Sequence, residues 1–266
     1  MINIALAEQI VDVCAQAGQA IMALYQNAIT VQQKADASPV TAADFAANDI
    51  ICEGLIKCLP GVPILSEENS MPTLQERQQW PAYWLVDPLD GTKEFIERTG
   101  EFSINIALMV NARPFFGVIY SPAQQTAWLG GVEIAAQKWH PHQRTLLPTI
   151  SGASKTIRVL LSRRHNDARV TTYLQKIEQQ FGPIQRINMG SALKFAAIAE
   201  GKGDIYPRFS PTCEWDIAAG HALLQSAGGN IVDSAGAPIS YNSSEDLLNP
   251  PFLAIRDRNV LWPIYR

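Results

Sequence analysis

Trp84-Leu-Val-Asp-Pro-Leu-Asp-Gly-Thr92 is the stretch on which the fold of this chain turns. An apolar run ends in Asp87, Pro88 stiffens the turn after it, and Asp90-Gly91-Thr92 closes the segment. A strand over 83–87 therefore delivers one carboxylate and the turn delivers a second, with the Leu89 carbonyl between them. Gly91 lets the backbone approach a phosphate closely, and Thr92 offers a hydroxyl beside it. Hard cations such as Mg²⁺ take oxygen ligands, mostly carboxylates, together with water and substrate phosphate. A calcium loop starting at Asp87 is a rival reading. An EF-hand would need oxygen ligands at its third and fifth positions and glutamate at its twelfth. Those positions hold Leu89, Gly91 and Arg98, so the rival fails.

Two more acidic segments stand at element ends. Leu65-Ser-Glu67-Glu68-Asn69 follows a strand expected at 62–65, and Glu214-Trp-Asp216 meets a helix expected over 216–227. Singly, each has an ordinary explanation. Asp-Pro and Asp-Gly make turns, Glu67-Glu68 suits a solvated loop, and Asp216 suits an N-cap. Asp44, three residues after Thr41, suits a capping box at the start of the second helix. Together, Glu67, Asp87, Asp90 and Asp216 form a carboxylate set for Mg²⁺. Two metal ions ~3.5–4 Å apart can polarise a phosphoryl group and activate water, so no nucleophilic side chain is required.

Outward from these segments, Ile4, Ala7, Val11, Cys14, Gly18 and Ile21 recur at helical spacing and predict a long amphipathic first helix. A polar strand is expected at 29–34. Clean alternation over 102–110, a turn at 111–114 and strands at 115–120 and 127–129 predict an antiparallel meander, not a βαβ series. The polar stretch 137–155 reads as a junction. Beyond it, strands at 158–161, 204–206, 230–232 and 252–255 interleave with helices at 167–180, 191–200 and 216–227. The class is α/β in the α+β sense, with helices sandwiched between sheets. The chain reads as a single catalytic unit, 1–266. Its N-terminal half, 1–150, carries the meander and metal loop, and its C-terminal half, 151–266, completes the substrate site.

The 266 residues are 47% hydrophobic and 17% charged, which gives ample material for a core. A net charge of −4 argues against general nucleic-acid binding and implies that a cation or local basic cluster receives any anionic substrate. No run of about 18 apolar residues exists to span a membrane, and the N-terminus lacks the pattern of a signal peptide. Cys14, Cys52, Cys58 and Cys213 show no CxxC spacing, which points to buried thiols in a reducing cytoplasm and away from structural zinc. Monomer and homodimer both remain open.

At the acidic residues the sequence resembles the inositol monophosphatase superfamily of metal-dependent, lithium-sensitive phosphatases. Glu67-Glu68, Trp84-Leu-Val-Asp-Pro-Leu-Asp-Gly-Thr92 and Trp215-Asp216 match its E-E step, its W-x-[IV]-D-P-[IL]-D-G-T segment and its late W-D, in order. The resemblance spans essentially the whole chain. It implies the layered αβαβα sandwich of the inositol monophosphatase and fructose-1,6-bisphosphatase type. It also implies that Glu67, Asp87, the Leu89 carbonyl, Asp90 and Asp216 bind Mg²⁺, two or three ions in all. Thr92 with Asp44 would activate the attacking water, and Glu68 would hold a further metal or its water. Asp44 lies in Val40-Thr-Ala-Ala-Asp44, which matches the family's V-T-x-x-D.

Within the superfamily, Gly91-Thr-Lys-Glu-Phe-Ile96 resembles the 3′(2′),5′-bisphosphate nucleotidases, where inositol phosphatases tend to carry T-x-N-F. The nucleotide-binding S-x-x-K of those enzymes maps to Ser191 and Lys194. Ser191 reads as a helix N-terminus, a natural anion site, and Lys194 adds a point charge one turn on for a second phosphate. Arg208 in Tyr206-Pro-Arg208 matches a phosphate-binding arginine, with Pro207 as a departure that could shift its reach. Ser162-Arg-Arg-His165 resembles S-R-x-H and puts His165 near the base, while Arg163 and Arg164 read as solvated. Glu67, Leu89, Asp90, Gly91, Thr92 and Asp216 would also touch substrate.

The implied reaction is hydrolysis of adenosine 3′,5′-bisphosphate to AMP and phosphate, with 3′-phosphoadenylyl sulfate as a second substrate. Its implied place is sulfur metabolism, clearing the nucleotide left by sulfate activation. The expected location is the cytoplasm, with the inner face of the cell membrane as a peripheral seat. An inositol- or sugar-phosphate phosphatase on the same metal core is the nearest alternative, and Thr-Lys-Glu-Phe and Ser-x-x-Lys speak against it. A non-catalytic phosphonucleotide-binding protein would be expected to lose a metal ligand or Thr92, and neither is lost.

Overall fold

The computed structural model describes residues 2–27, 31–33, 39–141, 143–147, 156–163, 167–260 and 262–263. Helices α1 (Ile4–Tyr25) and α2 (Ala42–Cys58) are separated by a two-stranded antiparallel ribbon, β1 (Val31–Gln33) with β2 (Pro39–Thr41). A seven-stranded sheet comes next in chain order: β3 (Ile64–Ser66), β4 (Ala82–Asp90), β5 (Ser103–Val110), β6 (Arg113–Ser121), β7 (Thr126–Gly131), β8 (Gln137–His140) and β9 (Gln143–Leu146). Short helices α3 (Leu74–Arg77) and α4 (Thr92–Ile96) flank β4 in sequence. The rest of the chain supplies β10 (Ile157–Leu161), α5 (Ala168–Phe181), β11 (Ile184–Asn188), α6 (Leu193–Ala199), β12 (Ile205–Arg208), α7 (Glu214–Ser226), β13 (Asn230–Asp233) and β14 (Phe252–Ile255). Its five strands lie in the order β11-β10-β12-β14-β13.

The layering follows from strand alternation. Trp84, Val86, Ile104, Ile106 and Val118 pack with the apolar stripes of α1 and α2. Their neighbours Tyr83, Leu85, Ala107, Met109 and Ile119 point the other way, into a core shared with α6, α7 and the inner face of the second sheet. Val159, Ile205, Leu253 and Ile255 face outward from that sheet onto Tyr173, Leu174 and Ile177 of α5. The result is the αβαβα sandwich that the resemblance implied. Because it lies between two sheets, α7 is apolar almost all round. Its approach to β6 is so close that a Cβ on Gly117 would fall 2.3 Å from the Ala219 carbonyl oxygen.

Several expectations shift. The stretch 137–155 is not simply a junction, since β8 and β9 extend the meander through it, with Trp139 buried. Its polar strand residues are solvent-facing, which disguised the pattern; residues 148–155 lie outside the described part. Strand β11 was not expected, because it is a half-exposed edge carrying Gln185, Arg186 and Asn188. The strand expected at 83–87 continues to Asp90. Of the strand expected at 29–34, Val31–Gln33 is observed, and 29–30 and 34 lie outside the described residues. No described helix is long and apolar enough to cross a membrane.

Candidate active site

The predicted metal loop is a β-bulge. Asp87 pairs with Asn105 and Asp90 with Ser103, so three steps on β4 oppose two on β5. The surplus residue bends the strand and brings both aspartates to one end of it. Leu89 N–H closes the bulge on Asp87 Oδ1 at 3.0 Å. Gly91 then turns with φ of +92°, and an added Cβ would sit 3.1 Å from the Glu101 carbonyl oxygen and 3.3 Å from Ser191 Cβ. Both conformation and space demand glycine there.

Thr92 opens α4, and its hydroxyl has two acceptors in reach, Asp44 Oδ1 at 3.2 Å and the Leu89 carbonyl at 3.3 Å. The other Asp44 oxygen accepts from Thr41 N–H at 2.8 Å and Thr41 Oγ1 at 2.7 Å, completing the capping box of α2. Asp44 thus caps a helix with one oxygen and faces the loop with the other. Burial raises its pKa above the ordinary carboxylate value, opposed by the hydrogen bonds from Thr41 and Thr92.

Glu67 arrives by parallel pairing. Ser66 lies opposite Val86, and Glu67 N–H continues the ladder to the Val86 carbonyl at 3.1 Å, which seats Glu67 beside Asp87. Asn48 of α2 steadies this corner, accepting from Ser66 Oγ at 2.7 Å and donating to Asn69 Oδ1 at 2.8 Å. Glu68, half-buried, is next in the same loop. Asp216 is the third residue of α7, not a cap before it, and its Oδ2 accepts from Cys213 N–H at 2.8 Å.

The predicted carboxylates from β3, β4 and α7 feel one another. Burial pushes Asp87 well above the usual carboxylate range, and Glu67, Asp90 and Asp216 push it further. Asp216 is raised by burial and by Asp90 and Glu67. Asp90 is pushed up to about 6 by burial, against the pull of the Lys194 ammonium and the Ala192 N–H. Among the described residues no three carboxylate, imidazole or thiol groups converge as a complete ligand cage. Mg²⁺ does not require one, because it keeps several waters and takes one or two carboxylates plus substrate phosphate. An all-oxygen set with Asp87 buried and Glu67, Asp90 and Asp216 half-buried, each close enough to raise Asp87, suits a hard divalent cation.

Across the cleft from this cluster, Ser162, Arg163, Ser191, Lys194, Tyr206 and Arg208 form the other wall. Lys194 is not a solvated helix lysine. It is 4% exposed, and its Nζ donates to the Ser191 carbonyl at 2.6 Å and the Met189 carbonyl at 3.1 Å, 5.0 Å from the Tyr206 ring centre. The expectation for Ser191 needs correcting. The helix begins only at Leu193, Ser191 itself has φ of +49°, and the Ala192 N–H is spent on Asp90 Oδ2 at 2.5 Å. Ser191 lines the cleft from a left-handed turn and is not a helix N-terminus. Arg208 ends β12, and its Nη1 donates to Ser162 Oγ at 2.9 Å. Pro207 pairs in register with Leu253 and leaves Arg208 in the cleft wall. His165 and Arg164 lie outside the described residues.

Two residues escaped the sequence reading. Arg163 is exposed, as a solvated arginine would be, but it donates through Nε and Nη2 to both Glu101 oxygens at 2.6 Å, and Glu101 also accepts from Gly190 N–H at 2.7 Å. The pair ties the 190–191 turn to the segment after α4. Asn105, buried in β5, donates to Asp90 Oδ2 at 3.4 Å. A polar residue amid the alternating apolar run 102–110 was its only sequence signal.

The inositol monophosphatase family model matches residues 4–256. The chain belongs to the inositol monophosphatase family. A relative in Escherichia coli strain K12, the 3′(2′),5′-bisphosphate nucleotidase CysQ, is 44% identical over 249 residues, covering 93% of this chain and 98% of the relative. The crystal structure of CysQ from Bacteroides thetaiotaomicron, a bacterial member of the inositol monophosphatase family, is 36% identical. It matches with a TM-score of 0.84, covering 96% of this chain and 97% of that one. An inositol monophosphatase from Anabaena, 22% identical, matches with a TM-score of 0.69 over 94% and 89% of the two chains, and shares the fold. The inositol monophosphatase sandwich therefore accounts for the whole described architecture, from α1 to β14.

Proposed function

We propose that this chain is a Mg²⁺-dependent 3′(2′),5′-bisphosphate nucleotidase. It hydrolyses the 3′-phosphate of adenosine 3′,5′-bisphosphate to give AMP and phosphate, and takes 3′-phosphoadenylyl sulfate to adenylyl sulfate as a second reaction. Similarity to the CysQ nucleotidases along nearly the whole chain supports the activity. The structural observation that carries it is the buried Lys194 ammonium facing the cleft opposite Asp90 and Asp216. A cation fixed in the wall opposite a phosphatase centre suits a substrate with a second phosphate.

In this reading Glu67, Asp87, the Leu89 carbonyl, Asp90 and Asp216 hold two or three Mg²⁺ ions, with Glu68 on a further ion or its water. When bound, Mg²⁺ polarises the phosphoryl group and lowers the pKa of the attacking water. Thr92 Oγ1 donates its proton toward Asp44 Oδ1, which leaves its lone pairs to accept from that water. Burial makes Asp44 a readier proton acceptor than a solvated aspartate. Gly91 is assigned to the stretch of backbone that the phosphate would approach. The first turn of α7 offers the positive end of a helix dipole to the oxyanions. Ser191, Lys194 and Arg208 receive the 5′-phosphate side, and His165 is assigned to the base. Segments 1–150 and 151–266 act as two halves of one catalytic unit. The partner is a small nucleotide, and the setting is the cytoplasm. The idea of a peripheral seat on the membrane gains no support from the described residues.

Phosphate release in Mg²⁺ decides among the readings. Adenosine 3′,5′-bisphosphate should be hydrolysed much faster than inositol 1-phosphate or fructose 1,6-bisphosphate. Comparable rates on the inositol ester would overturn the nucleotide assignment. Tight binding of the bisphosphate without phosphate release would instead favour a binding protein.

A further inference from the structure

Arg77 is the most deeply buried cation among the described residues, with 0% exposure, and nothing in the reaction above uses it. It ends α3, in the connection that runs from the Glu67 loop to β4 with Asp87 and Asp90. Its guanidinium donates outward to another part of the chain. Nη1 reaches Asn242 Oδ1 at 2.9 Å, and Nη2 reaches the carbonyls of Ser244 at 3.0 Å and Glu245 at 3.2 Å. Asn242 Nδ2 returns a bond to the Arg77 carbonyl at 3.0 Å. The pairing is therefore reciprocal, and it spans 165 residues of sequence.

The segment 241–249 that Arg77 grips is a strap over the entry of α7. Asn242 N–H donates to Glu214 Oε1 at 2.7 Å, and Glu214 N–H donates to the Leu247 carbonyl at 2.9 Å. Asn249 closes the far end, its N–H on the Thr212 carbonyl at 2.8 Å and its Nδ2 on the Cys213 carbonyl at 2.6 Å. Residues 212–214 are thus held from both sides. Two residues further along the same turn comes Asp216.

We infer that Arg77, acting through Asn242 and the strap, is a positioning residue that sets Asp216 against Glu67, Asp87 and Asp90. The inference rests on the reading of Asp216 as a metal ligand. The metal site draws its carboxylates from the first sheet and from a helix of the second half, so its geometry depends on how α7 enters relative to β3 and β4. Packing fixes α7 along the sheet, through apolar contacts that carry no direction at the helix entry. A fork of directed hydrogen bonds between the β3–β4 connection and the helix entry fixes what packing leaves free. A buried guanidinium is a poor way to gain stability, since apolar residues of similar volume often serve as well or better. Arginine is suited here because its planar fork engages three acceptors on the strap at once.

Isothermal titration of the whole chain with Mg²⁺, far below its melting temperature, tests the inference beside steady-state kinetics. Arg77→Met and Asn242→Gly are the variants. Glycine keeps the left-handed backbone of residue 242, where φ is +52°, and removes only the side chain. The Mg²⁺ dissociation constant should rise roughly 10–100-fold in each, the range seen when partners behind metal ligands are lost. Turnover should recover as Mg²⁺ is raised, and KM for the nucleotide should stay near its original value. Arg77→Lys should fall between wild type and Met. A purely structural role would lower Tm and leave the Mg²⁺ constant unchanged. Wild-type affinity in a folded Asn242→Gly, with affinity lost in Asp216→Asn, would overturn the clamp alone. Wild-type affinity in Asp216→Asn would overturn the metal reading, and the clamp with it.

Discussion

The two walls of the cleft are built in opposite ways. On the metal side, Asp87, Leu89, Asp90, Gly91 and Thr92 come from one bulged strand end, so their spacing in sequence is nearly their arrangement in space. On the proposed substrate side, Ser162, Ser191, Lys194 and Arg208 come from the ends of β10 and β12, from α6 and from the turn before it. They meet only because the second sheet stacks on α6 and α7. The loop at the heart of the proposed metal wall is local, with Glu67 and Asp216 brought to it from other elements, whereas the proposed substrate wall is long-range throughout. A fold with this division can keep one hydrolytic centre and change what it hydrolyses.

Asp90 is where the comparison is most exposed to failure, because it belongs to both walls. It is a proposed metal ligand and also accepts the Ala192 N–H across 102 residues of sequence. Asp90→Asn keeps an oxygen for that hydrogen bond and removes the charge. Turnover should fall by roughly 10³-fold, the order of several kcal/mol of charge stabilisation, with circular dichroism and Tm preserved. Wild-type turnover in this variant would show that the local wall is not the metal wall. A collapse of Tm would show that Asp90 serves chiefly to join the two.

Helix α7 links the walls, and its middle carries a group the chemistry does not use. His221 is 4% exposed, with Nδ1 2.8 Å from Tyr241 Oη and Nε2 3.0 Å from Asn230 Oδ1. Burial lowers its pKa from 6.5 to about 4. The unfolded chain therefore binds this proton below pH 6.5, while the folded chain resists it until about pH 4. Stability from this site is intact above pH 6.5 and is lost as pH falls toward 4. Between pH 7.5 and 5 the loss should be about 2 kcal/mol. Urea unfolding of wild type and His221→Gln at both pH values checks it. The carboxylates raised by burial gain stability as pH falls, so the share of His221 is read as wild type minus variant. A difference unchanged between the two pH values would take the acid sensitivity away from α7.

The same division explains what could be read from the sequence. The loop 87–92 was legible because its chemistry is contiguous, and so were the alternating strands that bury Trp84 and Ile106 on one face and Tyr83 and Met109 on the other. Asp44 was read both as a cap and as a partner of Thr92, and its two oxygens reach Thr41 and Thr92 respectively. Arg163 was not legible, because its partner Glu101 lies 62 residues away and nothing local marks the pair. Ser191 was misread because a run of helix-forming residues from Ala192 onward hides a left-handed turn before it. Arg77 resembled any arginine at the end of a short helix until its acceptors on the strap were placed. Sequence spacing reports geometry within an element, and sheet stacking decides the rest.

Lys194 gives the finest test of the long-range wall. Its ammonium donates to two main-chain carbonyls of the turn that also presents Ser191, so it has two separable roles. As a prop it would hold the turn, and its loss would weaken every substrate alike. As a phosphate anchor it would matter only when a 5′-phosphate is present. Lys194→Met keeps an apolar side chain of similar length and removes the charge that lies over the Tyr206 ring. One charge-assisted hydrogen bond of roughly 1.5 kcal/mol corresponds to about a tenfold change. The ratio of kcat/KM for adenosine 3′,5′-bisphosphate to that for adenosine 3′-phosphate should therefore drop about tenfold in the variant. A parallel loss on both substrates would assign Lys194 to the turn alone. The second phosphate would then have to be read by Arg208 and the residues beside it.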